Sequence, residues 1–202
     1  MKQSSREKWN KRYKKGAYSA RTYPSDLLVK WLPKVQNQSK ELHAIDIACG
    51  TGRNSIYLAQ NGWQVDSLDI SEVALSILEK KILKENLSIR CINKDLECTL
   101  SRNNGFLVDA NYDLVVVIRY TNLSLINNLH RILKPGGYLI VEEHLVTTRK
   151  VIGPQNPKYR VAPQALNDAS TGLEIISYQE GIVEDPDNRL AALAQLIARK
   201  PS

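Results

Sequence analysis

Ala44-Ile45-Asp46-Ile47-Ala48-Cys49-Gly50-Thr51-Gly52-Arg53-Asn54-Ser55 reads as an apolar strand running into a glycine turn that opens a helix. Gly50 and Gly52 let the backbone turn sharply and approach a ligand with no Cβ in the way. Asp46 stands shortly before the first glycine. A helix that opens on such a turn favours a pyrophosphate, and a carboxylate beside it repels that anion. The third position of the dinucleotide fingerprint is Ser55, neither Gly nor Ala. The stretch therefore points away from a nicotinamide dinucleotide. It points towards a ligand with a cationic amino-acid end and no phosphate.

The next turns carry further acids. A second strand over 63–68 stops at Asp69, whose carboxylate can accept hydrogen bonds from both hydroxyls of a ribose. The alternative for Asp69 is a helix N-terminal group, although Ser71 already serves as the cap. A third strand over 87–92 leads to Asn93-Lys94-Asp95-Leu96. There Asp95 can take an adenine amino group and the Leu96 N–H a ring nitrogen, or Asp95 is a surface acid. Arg53 opposes the dipole of the helix it opens and calls for an anionic partner, either a ligand carboxylate or a neighbouring acid. Cys49 reads as a small residue filling a tight turn. S-adenosyl-L-methionine (SAM) combines the nucleoside and the cationic amino acid that this pattern asks for.

Around this centre strands and helices alternate. Helices are expected over 2–15, 25–32 (limited by Pro33), 53–60, 71–82 and 123–133, and strands over 44–48, 112–118 and 138–142. The region 98–110 reads as loop. That order predicts an α/β fold with a doubly wound, mostly parallel sheet. Residues 144–163 form a long stretch without periodicity, of the kind that is functional or disordered in a compact domain. A short helix near 164–169 follows. Segments 173–183 and 190–198 flank Asp185-Pro186-Asp187-Asn188 as a hairpin, so the last strand should run antiparallel. One domain over 1–202 is expected, with a helical lid over 1–37 and an α/β core over 38–202.

Composition narrows the function classes. The chain has 202 residues, 28 Lys and Arg against 21 Asp and Glu, and three cysteines without a C-x-x-C pair. No apolar run approaches the ~18 residues of a membrane helix, and the charged start is unlike a secretory signal. A reduced cytoplasmic setting is expected, with no membrane partner and no metal. Eight of the cations and one acid lie in residues 1–21, leaving 20 of each in the remainder. The body is therefore neutral, which argues against nucleic acid as a partner and leaves the basic leader as a solvated helix face, an RNA-binding arm or part of a lid.

Asp46-Ile-Ala-Cys-Gly-Thr-Gly-Arg-Asn-Ser-Ile-Tyr-Leu-Ala59 resembles the first motif of class I SAM-dependent methyltransferases, in particular the small tellurite-resistance-type branch. Asp69-Ile70-Ser71, Asn93-Lys94-Asp95-Leu96, Tyr112-Asp-Leu-Val-Val-Val117 and Leu133-Lys-Pro-Gly-Gly-Tyr-Leu-Ile140 match later family motifs in order and spacing. Trp9, Tyr13 and Gly16 resemble that branch's N-terminal signature. The resemblance implies a Rossmann-like, seven-stranded sheet with its last strand antiparallel. It implies SAM contacts at Asp46, Gly50, Gly52, Asp69, Asp95 and Leu96, and the candidate cofactor set extends to Arg53, Ile70 and Arg119. Where family members often carry a Pro-x-Glu-Leu element, Ala162-Pro163-Gln164-Ala165-Leu166 has no acid.

A methyl acceptor is expected at the carboxyl ends of the fourth and fifth strands. Arg119, Tyr120 and His144 are the candidate catalytic residues there. Arg119 is read as a contact to a negatively charged acceptor (oxyanion, carboxylate or chalcogen), or else as a partner of Glu142 or Glu143. His144 is a general base or a hydrogen-bonded structural histidine. Glu142, Arg149 and Arg160 are candidate substrate contacts, and Trp9 and Tyr13 candidate lid residues. The expected function is SAM-dependent methyl transfer to a small molecule, by a monomer or a homodimer. The alternatives are an RNA methyltransferase and a SAM-binding protein without catalysis.

Overall fold

The computed structural model describes residues 4–35, 41–96 and 112–202. The expected start of the first helix and the loop at 98–110, with Cys98, lie outside them. Seven strands form one sheet: β1 (His43–Ile47), β2 (Gln64–Asp69), β3 (Ile89–Asn93), β4 (Tyr112–Ile118), β5 (Leu133–His144), β6 (Glu174–Glu184) and β7 (Leu190–Arg199). Their order is β3-β2-β1-β4-β5-β7-β6. β7 runs antiparallel to both β5 and β6, as the hairpin requires. The sheet is thus the doubly wound α/β type with its last strand reversed.

The chain divides into two compact units, residues 1–24 with 38–106 and residues 25–37 with 107–202. In the first, β1 pairs β2 and β2 pairs β3 in parallel. Helix α1 (Ser5–Lys14) starts at a capping box: Ser4 Oγ accepts from the Glu7 N–H and Glu7 Oε2 accepts from the Ser4 N–H. Helix α3 (Arg53–Gln60) ends at Asn61-Gly62, and α4 (Glu72–Glu85) starts at the Ser71 cap, whose Oγ accepts from the Ala74 N–H.

In the second unit α2 (Asp26–Val35) runs past Pro33, one turn further than expected. Leu32 and Val35 are both buried, so packing holds the last turn that the proline weakens. The helix expected over 123–133 is broken into α5 (Leu123–Ile126) and a 3-10 turn over Leu129–Arg131. Asparagine side chains compete for its backbone: Asn122 caps the Leu125 N–H, and Asn128 Nδ2 donates to Ser124 O. β5 starts at Leu133, before the expected Tyr138, because Lys134 Nζ donates to Asp113 Oδ2 at 2.8 Å and Gly137 fits against the carbonyls of Lys134 and Tyr112.

The long stretch after β5 is ordered. Leu145 bridges to Val161 and Ile152 to Ala191. Arg160 staples the loop from inside, its guanidinium donating to the carbonyls of Pro154 and Leu145, each at 2.8 Å. Helix α6 (Ala165–Asp168) follows.

Candidate functional site

Within the first unit the glycine turn leaves β1 in a left-handed run: Ala48, Gly50 and Gly52 all have φ between 57° and 77°. Such a conformation suits glycine and strains Ala48. Each glycine also makes room for a neighbour. A Cβ on Gly50 would sit 2.6 Å from the hydroxyl of Tyr13, and one on Gly52 would strike the methyls of Leu78 in α4. The Gly50 N–H donates to Asp69 Oδ2 at 2.8 Å, and the Ser71 N–H donates to Oδ1 at 2.7 Å. Asp69 thereby fastens the glycine turn to the end of β2. Burial raises its pKa, and these backbone bonds work against that rise. Each of its oxygens has capacity for a second bond.

Asp46 lies beneath the turn and is buried. Its Oδ2 accepts from the Ser55 hydroxyl at 2.6 Å. Ser55 thus stands where the dinucleotide fingerprint has its third glycine because the acid below needs a donor. Burial pushes Asp46 up to about 6, against the Ser55 bond and the charge of Arg53. Arg53 also donates to Tyr23 O at 2.9 Å, so the expected anionic neighbour is Asp46 acting through its field. Ile70 gives its carbonyl to Asn93 Nδ2. Asp95 is half-buried and Leu96 buried, just past the end of β3.

Helix α1 lies against these strand ends. Arg6 donates to Asn93 Oδ1. Asn10 accepts from Ser71 Oγ at 2.7 Å and donates to Glu72 at 3.1 Å. Tyr13 stands on Gly50, its hydroxyl held protonated by burial and by Asp69. Trp9 stacks on Tyr13 with ring centroids 6.0 Å apart, and Tyr18 completes the cluster. The spacing of Arg6, Asn10 and Tyr13 puts all three on one helical face. Asn10 shares that spacing, but a lone asparagine on a charged helix gives no sequence signal of its own.

In the second unit Arg119 ends β4 with φ 62°. Its Nε donates to Glu142 Oε1 at 2.9 Å, and Nη1 donates to Asp185 Oδ2 at 2.8 Å. Burial works against its charge, but Asp185 and Glu142 hold it fully protonated. This is the carboxylate pairing that the sequence left open, and Arg119 is consequently spoken for on both edges. Glu142 Oε2 accepts in addition from Gln195 and Ser25. Asp185 gave no sequence signal, since it is 66 residues away and arrives through the hairpin turn.

Glu143 is fully buried. It accepts from the Tyr120 N–H at 3.0 Å and from the Thr121 hydroxyl at 2.9 Å. Tyr120 enters this cluster through its backbone. The imidazole of His144 packs under Gly153, where a Cβ would approach both Nδ1 and Cε1 to 2.7 Å. Arg160 donates to loop carbonyls with its guanidinium and lines a recess of that loop. Arg149 and Lys150 are exposed and line a recess of the same loop with Val146, Thr147 and Pro154.

The model of the family "Tellurite resistance protein TehB" matches residues 15–188. The chain belongs to the TehB family. A probable S-adenosyl-L-methionine-dependent methyltransferase TehB of Haemophilus influenzae (strain 10810) is 29% identical over 169 residues, which are 77% of this chain and 56% of that relative. The chain thus spans a little over half the length of the TehB relative it matches. The crystal structure of TehB from Haemophilus influenzae superposes with a TM-score of 0.70 at 25% identity, covering 95% of this chain and 67% of that one. A phosphoethanolamine N-methyltransferase 2 of Haemonchus contortus, with S-adenosyl-L-methionine in its structure, has a TM-score of 0.64 at 14% identity over 86% of this chain and 52% of that one. That likeness concerns the fold alone. This chain carries the glycine turn and the two acids Asp46 and Asp69 on one seven-stranded sheet. Among the described residues no helix is long and apolar enough to cross a membrane.

Proposed function

We propose that this chain transfers a methyl group from SAM to a small acceptor bearing an anionic group. The observation that carries the cofactor reading is the bond from the Gly50 N–H to Asp69. It makes the glycine cradle and the ribose-gripping acid one rigid piece, with Asp46 below to disfavour a pyrophosphate. Gly50, Gly52 and Asp69 would hold the nucleoside and amino-acid parts, with Ile70, Asp95 and Leu96 at the base and ribose side, and Tyr13 and Trp9 as cover. SAM supplies an activated methyl on a sulfonium, so the protein's work is to orient the acceptor and exclude water. The names of the TehB relatives support the same chemistry.

For the acceptor, the support has moved from Arg119 to the loop after β5. Arg119 is neutralised by Glu142 and Asp185, whereas residues 145–167 hold four cations and no acid. Arg149 and Lys150 stand exposed on that segment, so an oxyanion or carboxylate finds them without displacing a partner carboxylate.

Calorimetric titration of SAM and NADH against the wild type and Asp69→Ala tests the cofactor reading. SAM binding that weakens by about 10–100-fold in the variant is expected, from the loss of hydrogen bonds to a charged acceptor. Binding of NADH without SAM ends the proposal. For the acceptor, the double variant Arg149→Ala/Lys150→Ala is expected to raise KM for selenite or tellurite with SAM affinity unchanged. An unmoved KM rejects the anionic handle.

A further inference from the structure

Three buried acids, Glu142, Glu143 and Asp185, stand at the end of β5 or in the hairpin turn, and their partners sort them. Glu142 and Asp185 both face the Arg119 guanidinium, and Glu142 accepts two further bonds, from Ser25 and Gln195. Glu143 differs, because its donors, a backbone N–H and a hydroxyl, are both uncharged. The Tyr120 N–H on Oε1 can only donate. The Thr121 hydroxyl on Oε2 can turn and accept instead. Oε2 is therefore a place where a proton can be added without setting donor against donor. Thr121 is half-buried, so its bond joins the fully buried carboxylate to a residue that is partly exposed.

We propose that Thr121 and Glu143 form a two-membered proton relay that takes up the proton of the acceptor's nucleophile during methyl transfer. The inference rests on the methyl-transfer reading and deepens it: the anionic group is the handle, and the nucleophile is a separate O–H, N–H or S–H. The sulfonium S–CH3 bond breaks with its electron pair returning to sulfur, and the bond from the nucleophile to CH3 forms. The nucleophile's proton passes to Thr121 Oγ as the threonine's own hydroxyl proton passes to Glu143 Oε2. Reversal of the two hops returns the proton to water after product leaves. Thr121 is the group that touches the acceptor; Glu143 is a positioning residue that acts through it. Burial and then the neighbouring Glu142 raise the Glu143 carboxyl to about 8, against the Thr121 and Tyr120 bonds and the charge of Arg119. A base is most effective with its pKa close to the working pH.

The test is an infrared carboxyl titration of the full-length wild type, Glu143→Gln and Thr121→Val, with SAM calorimetry on each. A protonated carboxyl that titrates near about 8 is expected in the wild type and absent from Glu143→Gln. Thr121→Val removes a bond that favours the ionised form and should move the titration upward, while Thr121→Ser restores it. With mercaptoacetate as a probe that carries both a carboxylate and a thiol, both Glu143→Gln and Thr121→Val should lose on the order of 10²-fold in methylation rate. A titration unmoved by Thr121→Val, with SAM still bound, overturns the relay alone. A wild type that binds no SAM overturns the methyl-transfer reading, and the relay's role with it.

Discussion

Gly52 is held at φ 77° and faces Leu78 so closely that a methyl group has no place there. Gly52→Ala is expected to cost about 2–4 kcal/mol, from the left-handed backbone and the overpacking together. Urea unfolding measures this, and Gly52→Ala combined with Leu78→Ala should cost less than the sum of the two single losses; strictly additive losses reject the contact. Asp46 predicts a pH dependence. Its carboxyl rises from 3.8 unfolded to about 6 folded, so the native state binds the proton more tightly. The stability it contributes is full below about 4 and drains as pH rises to about 6, by about 3 kcal/mol at most. Asp46→Asn should flatten that part of the stability curve, and an unchanged slope would show that Asp46 is not its source. At this scale the roles of Asp46 and Asp69 as acids beside a glycine turn were legible from residue type and position. Their hydrogen-bond partners were not, because Ser55 and Gly50 are brought to them by the turn of the chain.

Among the elements, α1 has no fully buried residue and is held by hydrogen bonds and by the partly buried Tyr13 on Gly50. Its opening therefore costs less than unfolding. Asn10→Ala removes its bonds to Ser71 and Glu72 and should lower hydrogen-exchange protection of the α1 amides by about tenfold, leaving β1 and β2 unaffected. Equal loss in the strands would contradict a separately opening helix. The loop after β5 depends on one side chain. Arg160→Ala leaves the carbonyls of Pro154 and Leu145 without their donor and should expose the loop to limited proteolysis near Lys158. Strands and the hairpin were readable because their apolar patterns are local. The broken helix at Leu123–Ile126 was misread because asparagine side chains overrode a helical pattern, and the loop was unreadable because its order comes from Arg160.

For the whole molecule the charge is lopsided: residues 1–21 hold the entire formal excess of +7. Removing them should bring the chain to neutrality, and with it abolish any salt-sensitive retention on a polyanion column. Specific RNA binding that survives this truncation would revive the RNA reading through the neutral body. The sequence by itself determined the α/β class, the reversed last strand, the glycine turn and its two acids, since each rests on residue type and short-range order. Tertiary structure alone decided that Arg119 is neutralised by Glu142 and Asp185, that Glu143 is buried under Tyr120 and Thr121, and that Tyr13 stands on Gly50. These pairings join residues tens of positions apart, and burial sets their charge states. No local pattern encodes either.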